Sequence, residues 1–125
     1  MTKKTFGTAL VIGASRGLGL ELVRQLLAAG SRVIATVRTA EARAALQTLG
    51  AEVLTVDVAD PASVSGLARQ LGGEQFDLAF YVAGVMRRMG ATTPPTQQDF
   101  DAVMHANVLG AMQTLPQVTP LVESA

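Results

Sequence analysis

The chain has no cysteine and no tryptophan, a single histidine (His105), a single tyrosine (Tyr81) and no lysine after Lys4. Lack of cysteine excludes disulfides and thiolate nucleophiles, and with one histidine the usual nitrogen and sulfur metal sites are excluded too. The formal charge is zero, from 10 basic and 10 acidic residues, so there is no electrostatic footprint for a nucleic acid and no acidic tail. Lys3 and Lys4 precede an apolar run, but it spans only Thr8 to Ile12, too short for the h-region of a signal peptide. No stretch could span a bilayer. Neither nucleic acid nor membrane is an expected partner, and a cytoplasmic location follows by default.

What remains is 125 residues of which 49% are hydrophobic, enough for one domain with a real core, though small for an α/β sheet. The apolar period alternates along the chain. Thr8 to Ile12 reads as strand one, and Leu18, Leu22 and Leu26 with Val23 and Leu27 form a helical stripe that Gly30 ends as a C′ residue. Strand two spans Arg32 to Val37, an alanine-rich helix follows from Ala40 to Leu49, and strand three is Val53 to Val56. Asp60 caps a helix with Pro61 at its first position, running to Leu71. Strand four is Phe76 to Val82, and Thr96-x-x-Asp99 opens a helix that runs past Gly110 until Pro116 and Pro120 kink or end it. Four β-α units in succession imply a Rossmann-type, doubly wound parallel sheet in the order 3-2-1-4, with helices on both faces. The crevice where the winding reverses then lies between strands one and four.

Glycines 13, 17 and 19 sit at the first β-α turn with the spacing G-x-x-x-G-x-G. A glycine turn opening a helix presents bare backbone N–H groups to a phosphate; the plainer alternative is a tight turn and nothing more. Arg38 ends strand two, where an acid would hold a ribose 2′-hydroxyl, and Arg16 lies inside the glycine loop. Two guanidiniums there suit a 2′-phosphate, each charge-assisted bond being worth about 1.5–3 kcal/mol; that favours NADP(H), with NAD(H) the weaker possibility and solvated surface arginines the plain reading. Asp57-Val58 ends strand three and would meet an adenine or, equally, start the loop that Asp60-Pro61 completes. Phe100, Val103, Met104, Ala111 and Leu115 recur at helical spacing and place the Asn107 amide on or beside a buried stripe. The plainer alternative is an asparagine that pins neighbouring backbone. His105 and Asp101 read as a surface pair, and Arg87-Arg88 as part of a solvated loop.

Gly13-x-x-x-Gly17-Leu18-Gly19, Asp57-Val58, Ala83-Gly84 and Asn107-Val108-Leu109-Gly110 together resemble the N-terminal half of a short-chain dehydrogenase/reductase, and all 125 residues fit that half in order and spacing. The glycine loop and the short loop after strand four are similar to the smaller carbonyl-reductase-like and C-factor-like members. The resemblance implies Gly13, Ser15, Arg16, Gly17, Leu18 and Gly19 around the pyrophosphate and adenosine of NADP(H), Arg38 as the NADP selector, Asp57 and Val58 at the adenine, and Ala83 and Gly84 beneath the ribose. Asn107 corresponds to the family's catalytic asparagine, which supports a water in a proton relay. No metal is implied. The helix from Asn107 to Leu115, with Ala106, Gly110 and Ala111, resembles the one that pairs subunits in the family and implies a homo-oligomer.

Three departures stand out. Ile12 replaces the usual threonine, Tyr81-Val82 replaces an Asn-Asn pair, and the family's serine, tyrosine and lysine would come after Ala125. Tyr81 does not substitute, because Val85 stands four residues on where a lysine is needed. The expectation is the cofactor-binding part of a longer oxidoreductase that moves a hydride between nicotinamide and a small carbonyl or alcohol, its 125 residues inactive alone and its fourth strand left as a bare apolar edge. A non-catalytic NADP(H)-binding or regulatory module is the alternative. A methyltransferase ranks last, since Val37-Arg38 provides no acid for the adenosine ribose.

Overall fold

Residues 7–85 and 92–122 are described by the structure, a computed structural model. Four short apolar segments, β1 (Thr8–Ile12), β2 (Arg32–Val37), β3 (Glu52–Thr55) and β4 (Leu78–Tyr81), form one parallel sheet in the order β3-β2-β1-β4. Ile12 lies opposite Thr36 on one side and Tyr81 on the other. Because side chains alternate along a strand, each central strand supplies both faces. Leu10, Ile12 and Ile34 pack with Val64 of α3 (Pro61–Ser65), Leu67 and Leu71 of α4 (Leu67–Leu71) and Val118 of α6 (Gly110–Val118). Val11, Val33, Ala35 and Val37 pack with Val23 of α1 (Gly17–Ala28) and Leu46 of α2 (Ala40–Leu49) on the other face. The expected doubly wound sheet, its order and its switch point between β1 and β4 are all present.

Local chemistry accounts for most element ends. The Thr39 hydroxyl accepts from the Ala42 N–H at 3.3 Å and Asp60 from Ala62 at 3.1 Å, with Pro61 in the first turn of α3. Thr96 accepts from Asp99 at 3.1 Å to open α5 (Gln97–Met104). Gly50, at φ +108°, closes α2 as its left-handed cap. At the far end of the sheet from the strand C-termini, the Arg32 guanidinium bonds the Glu52 carboxylate at 2.5 and 2.8 Å and the Glu74 carboxylate at 2.7 and 2.8 Å. Hydrogen bonding to Arg32 holds the Glu74 carboxyl below its ordinary pKa.

Four expectations need correction. The helix from Pro61 to Leu71 is broken at Gly66, which costs a helix about 1 kcal/mol relative to alanine and here separates α3 from α4. Strand three is shifted by one residue, spanning Glu52–Thr55 in place of Val53 to Val56. Strand four is four residues long: Phe76 falls outside it, forming an isolated parallel bridge with Val122 and donating its N–H to the Leu121 carbonyl at 2.8 Å. Beyond that bridge β4 has no partner on its outer side among the described residues. Pro116 does not end the last helix but lies within α6, near its C-terminus, and Pro120 falls in the 3-10 turn Thr119–Leu121 that follows.

The buried stripe of that helix is also different. Between α5 and α6 the chain makes a π-helical turn (His105–Leu109), and the buried residues running through it and α6 are Ala106, Gly110, Thr114 and Val118. Phe100, Met104 and Leu115 face outward at 55%, 40% and 43% exposure. Close approach to the loop after β3 is the reason: a Cβ on Gly110 would lie 2.8 Å from the Val58 carbonyl oxygen and 3.2 Å from the Tyr81 hydroxyl. Only small residues fit that contact, so the large apolar ones are left on the other side. Among the described residues, no helix is long and apolar enough to cross a membrane.

Candidate functional site

A cleft of about 390 Å³ opens at the C-terminal ends of the strands, over the switch point, where doubly wound sheets bind ligands. Its first wall is the loop between β1 and α1. Gly13 has φ +90°, and a Cβ there would fall 2.5 Å from the Ala83 backbone, so the loop lies directly against the chain leaving β4. Gly19 is tighter still: a Cβ would collide with the Gly13 carbonyl oxygen, which lets the first turn of α1 close over the loop. Both Val82 and Ala83 donate their N–H to the Ile12 carbonyl at 2.9 Å, and this joins the floor to β1.

The start of α1 is chemically bare. Arg16 is the N-cap residue with extended backbone, no side chain caps the helix, and no acidic residue lies in its first turn. The first N–H groups of this 12-residue helix and its positive dipole end thus have no side-chain partner among the described residues, and Gly17 and Leu18 of that turn line the cleft. Arg16 and Arg38 are exposed, line the same cleft, and form no ion pair among the described residues. Ser15, Gly17 and Leu18 complete this wall. Glycine cradle, bare helix end and two unpaired guanidiniums make a site for a ligand carrying several phosphate charges.

Asp57 and Val58 form the opposite wall. The Asp57 carboxylate accepts from the Ala59 N–H at 3.0 Å, and the Asp57 N–H donates to the Ser63 hydroxyl at 2.9 Å. It does build the loop, and from there it also lines the cleft. Ala83 and Gly84 also line the cleft.

Asn107 is outside the buried stripe, and its side chain is engaged at both ends. Its Oδ1 accepts from the Val85 N–H at 2.6 Å and its Nδ2 donates to the Val85 carbonyl at 2.7 Å. One amide thus holds both polar groups of a single cleft-lining residue 22 positions away. These are the bonds of the plainer alternative, a side chain that pins backbone. No bond joins His105 to Asp101 among the described residues. Arg87-Arg88 lies outside the described residues.

Tyr81 does not line the cleft. Its hydroxyl is buried without a partner among the described residues, and burial pushes its pKa up, the reverse of what a proton-transferring tyrosine requires. Gly19 and Asn107 do not line the cleft themselves, while Thr36, Val37, Val56, Ala59, Val82, Val85, Ala102 and Ala106 line it without having been legible as site residues from sequence; of these, Val85 owes its place to a contact with Asn107, and the only signal of Thr36 is one hydroxyl in the apolar run Arg32–Val37.

A family model described as short chain dehydrogenase matches residues 7–125. The chain is 32% identical over 121 residues to an NADPH-dependent pterin aldehyde reductase of Arabidopsis thaliana, covering 91% of this chain and 50% of that protein. It is 35% identical over 121 residues to a 1-hydroxy-2-glutathionyl-2-methyl-3-butene dehydrogenase of Rhodococcus sp. (strain AD45), with the same coverages. Among solved structures, a short-chain dehydrogenase/reductase from Burkholderia multivorans with bound NADP superposes with a TM-score of 0.83 at 29% identity, covering 94% of this chain and 55% of that one. The chain thus spans about half the length of the curated relatives it matches.

Proposed function

The chain belongs to the short-chain dehydrogenase/reductase family, and from that premise we propose that it is the NADP(H)-binding part of an oxidoreductase acting on a small carbonyl or alcohol. The observation that carries this reading is the bare N-terminus of α1 opening on a cleft that the unpaired guanidiniums of Arg16 and Arg38 also line. NADP(H), when bound, supplies the hydride chemistry. The residues of this chain bind and orient it: N–H groups of Gly17, Leu18 and Gly19 with the Gly13–Ser15 turn take the diphosphate, and Arg16 and Arg38 take the 2′-phosphate. Asp57 and Val58 hold the adenine, and Ala83 and Gly84 lie beneath the ribose. Asn107 acts as a positioning residue that fixes Val85 at the inner end of the cleft. NADPH in the name of one relative and NADP in two neighbouring structures support the choice of cofactor.

Tyr81 has no part in the cofactor wall in this reading, since it does not line the cleft and its hydroxyl is buried. Homo-oligomer contact is assigned to the outer face of α5 and α6, where Phe100, Met104, Val108, Met112 and Leu115 are all at least 40% exposed; light scattering on Met112→Glu should report a smaller particle than the parent, and an unchanged mass would remove the assignment. The cofactor reading is tested by titrating NADPH and NADH into the protein by fluorescence. NADPH should bind about tenfold or more tightly than NADH, and Arg38→Ala should remove most of that preference, because one charge-assisted phosphate bond is worth about 1.5–3 kcal/mol. Equal affinities in the parent protein would overturn the 2′-phosphate assignment, and no binding of either would overturn the cofactor reading.

A further inference from the structure

We propose that Thr36 is the positioning residue of the glycine loop, and that its hydroxyl sets how tightly the cleft holds the diphosphate of a dinucleotide. The inference rests on the cofactor reading above and adds a residue that reading does not use. Thr36 is 1% exposed on β2, between Ala35 and Val37, where an apolar side chain would be expected. An interior hydroxyl is costly unless bonded, and this one is: Oγ1 accepts the Gly13 N–H at 3.1 Å. The main-chain carbonyl of the same residue accepts the next N–H in the loop, that of Ala14, at 2.9 Å.

Two successive amides of the loop are thus tied to one residue of the neighbouring strand. Ile12, paired in register with Thr36 and directly before the loop, has no polar side chain that could do this. The carbonyl of Ala14's partner continues the sheet ladder by one step past Ile12, whereas the bond from Gly13 is made by a side chain and depends on residue identity. Gly13 is then held from two sides, by Thr36 on β2 and by contact with the Ala83 backbone beyond β4. Its carbonyl in turn touches the position where Gly19 lacks a Cβ, so the orientation of the Gly13 peptide sets where the first turn of α1 sits. Replacing the hydroxyl by a methyl leaves the Gly13 N–H without its acceptor in a part-buried place, and the peptide must turn to find another.

The diphosphate is common to both coenzymes, which gives the proposal a signature distinct from that of the arginines. Thr36→Val should weaken NADPH and NADH by the same factor, about five- to tenfold, leaving their ratio unchanged, and Thr36→Ser should restore both to within twofold of the parent. In the unliganded protein, the Gly13 amide should exchange with solvent at least tenfold more slowly than the Gly17 amide. Parent-like binding by Thr36→Val, or equal impairment in Thr36→Ser, overturns the proposal. A fast-exchanging Gly13 amide overturns it even if Thr36→Val does not fold. Failure of the parent to bind either coenzyme is a separate result, which removes the cofactor reading and the affinity claim with it.

Discussion

Gly84 and Asn107 should be coupled, and a double-mutant cycle measures by how much. A Cβ added at Gly84 would lie 2.9 Å from the Asn107 Oδ1, the atom that accepts from the Val85 N–H at 2.6 Å. Asn107 cannot yield without giving up that bond, and its Nδ2, bonded to the Val85 carbonyl at 2.7 Å, must move with it. Each such bond contributes about 0.5–1.5 kcal/mol net, and because Asn107 is exposed, water recovers part of the loss. Asn107→Ala should therefore cost about 1–2 kcal/mol. Gly84→Ala in the parent forces the same rupture and should cost a similar amount. With the amide removed, no obstacle remains at that position, and Gly84→Ala should be neutral or stabilise by about 0.4–1 kcal/mol through the unfolded chain. Denaturant unfolding of the four proteins should give a coupling of about 1–3 kcal/mol, with the cost of Gly84→Ala vanishing in the double variant. Additivity within about 0.5 kcal/mol would refute the clamp as the cause.

Gly19→Ala should prevent folding or cost about 3 kcal/mol, since its Cβ would collide with backbone at Gly13, whereas Gly17→Ala, at φ +57° but in open space, should cost only about 1–2 kcal/mol; thermal unfolding of the two variants checks the order, and a tolerated Gly19→Ala would contradict the packing. The Arg32 clamp predicts a pH dependence. Its bond holds the Glu74 pKa below the unfolded value near about 4.3, so its stabilisation is present above that pH and is lost as pH falls through the folded pKa. Glu74→Gln should therefore melt below the parent at pH 7, with the gap narrowing as pH falls through the folded pKa, and the pH 7 difference should shrink in high salt because the groups are solvent-accessible. A difference that persists at low pH would assign the effect to packing instead.

Sequence made some elements fully legible and others not, for identifiable reasons. The limits of β1, β2 and α2 coincide with their apolar runs because Gly13, Gly30 and Gly50 mark the turns, all three at positive φ. The order of the sheet followed from β-α alternation alone. Hydrophobic size is a poor sign of burial on α6, because contact with Val58 selects glycine at 110 and leaves Met112 and Leu115 outside. Most cleft residues were found by motif. Thr36 and Val85 were not, because each owes its role to a partner 22 or 23 positions away, a distance that no local pattern encodes.

The residues around the cleft divide by how they would act on a ligand. Thr36, Gly13, Gly19 and Ala83 are held by backbone bonds, the Thr36 hydroxyl and direct backbone contact, so the amide donors they orient are fixed before anything binds and need little reorganisation. Arg16 and Arg38 are exposed and unpaired among the described residues, so their attraction is screened by salt and carries the entropy of long side chains. In the proposed reading, affinity for the diphosphate would thus depend on the shape of the loop, and discrimination at the 2′-position on exposed surface charge. A loop built this way tolerates no Cβ at Gly13 or Gly19, while the arginine positions are open to change without disturbing the fold. In the proposed reading, coenzyme preference would therefore be the property this scaffold can alter most readily, whereas the glycine positions of the loop are bound up with the packing of α1 on the sheet.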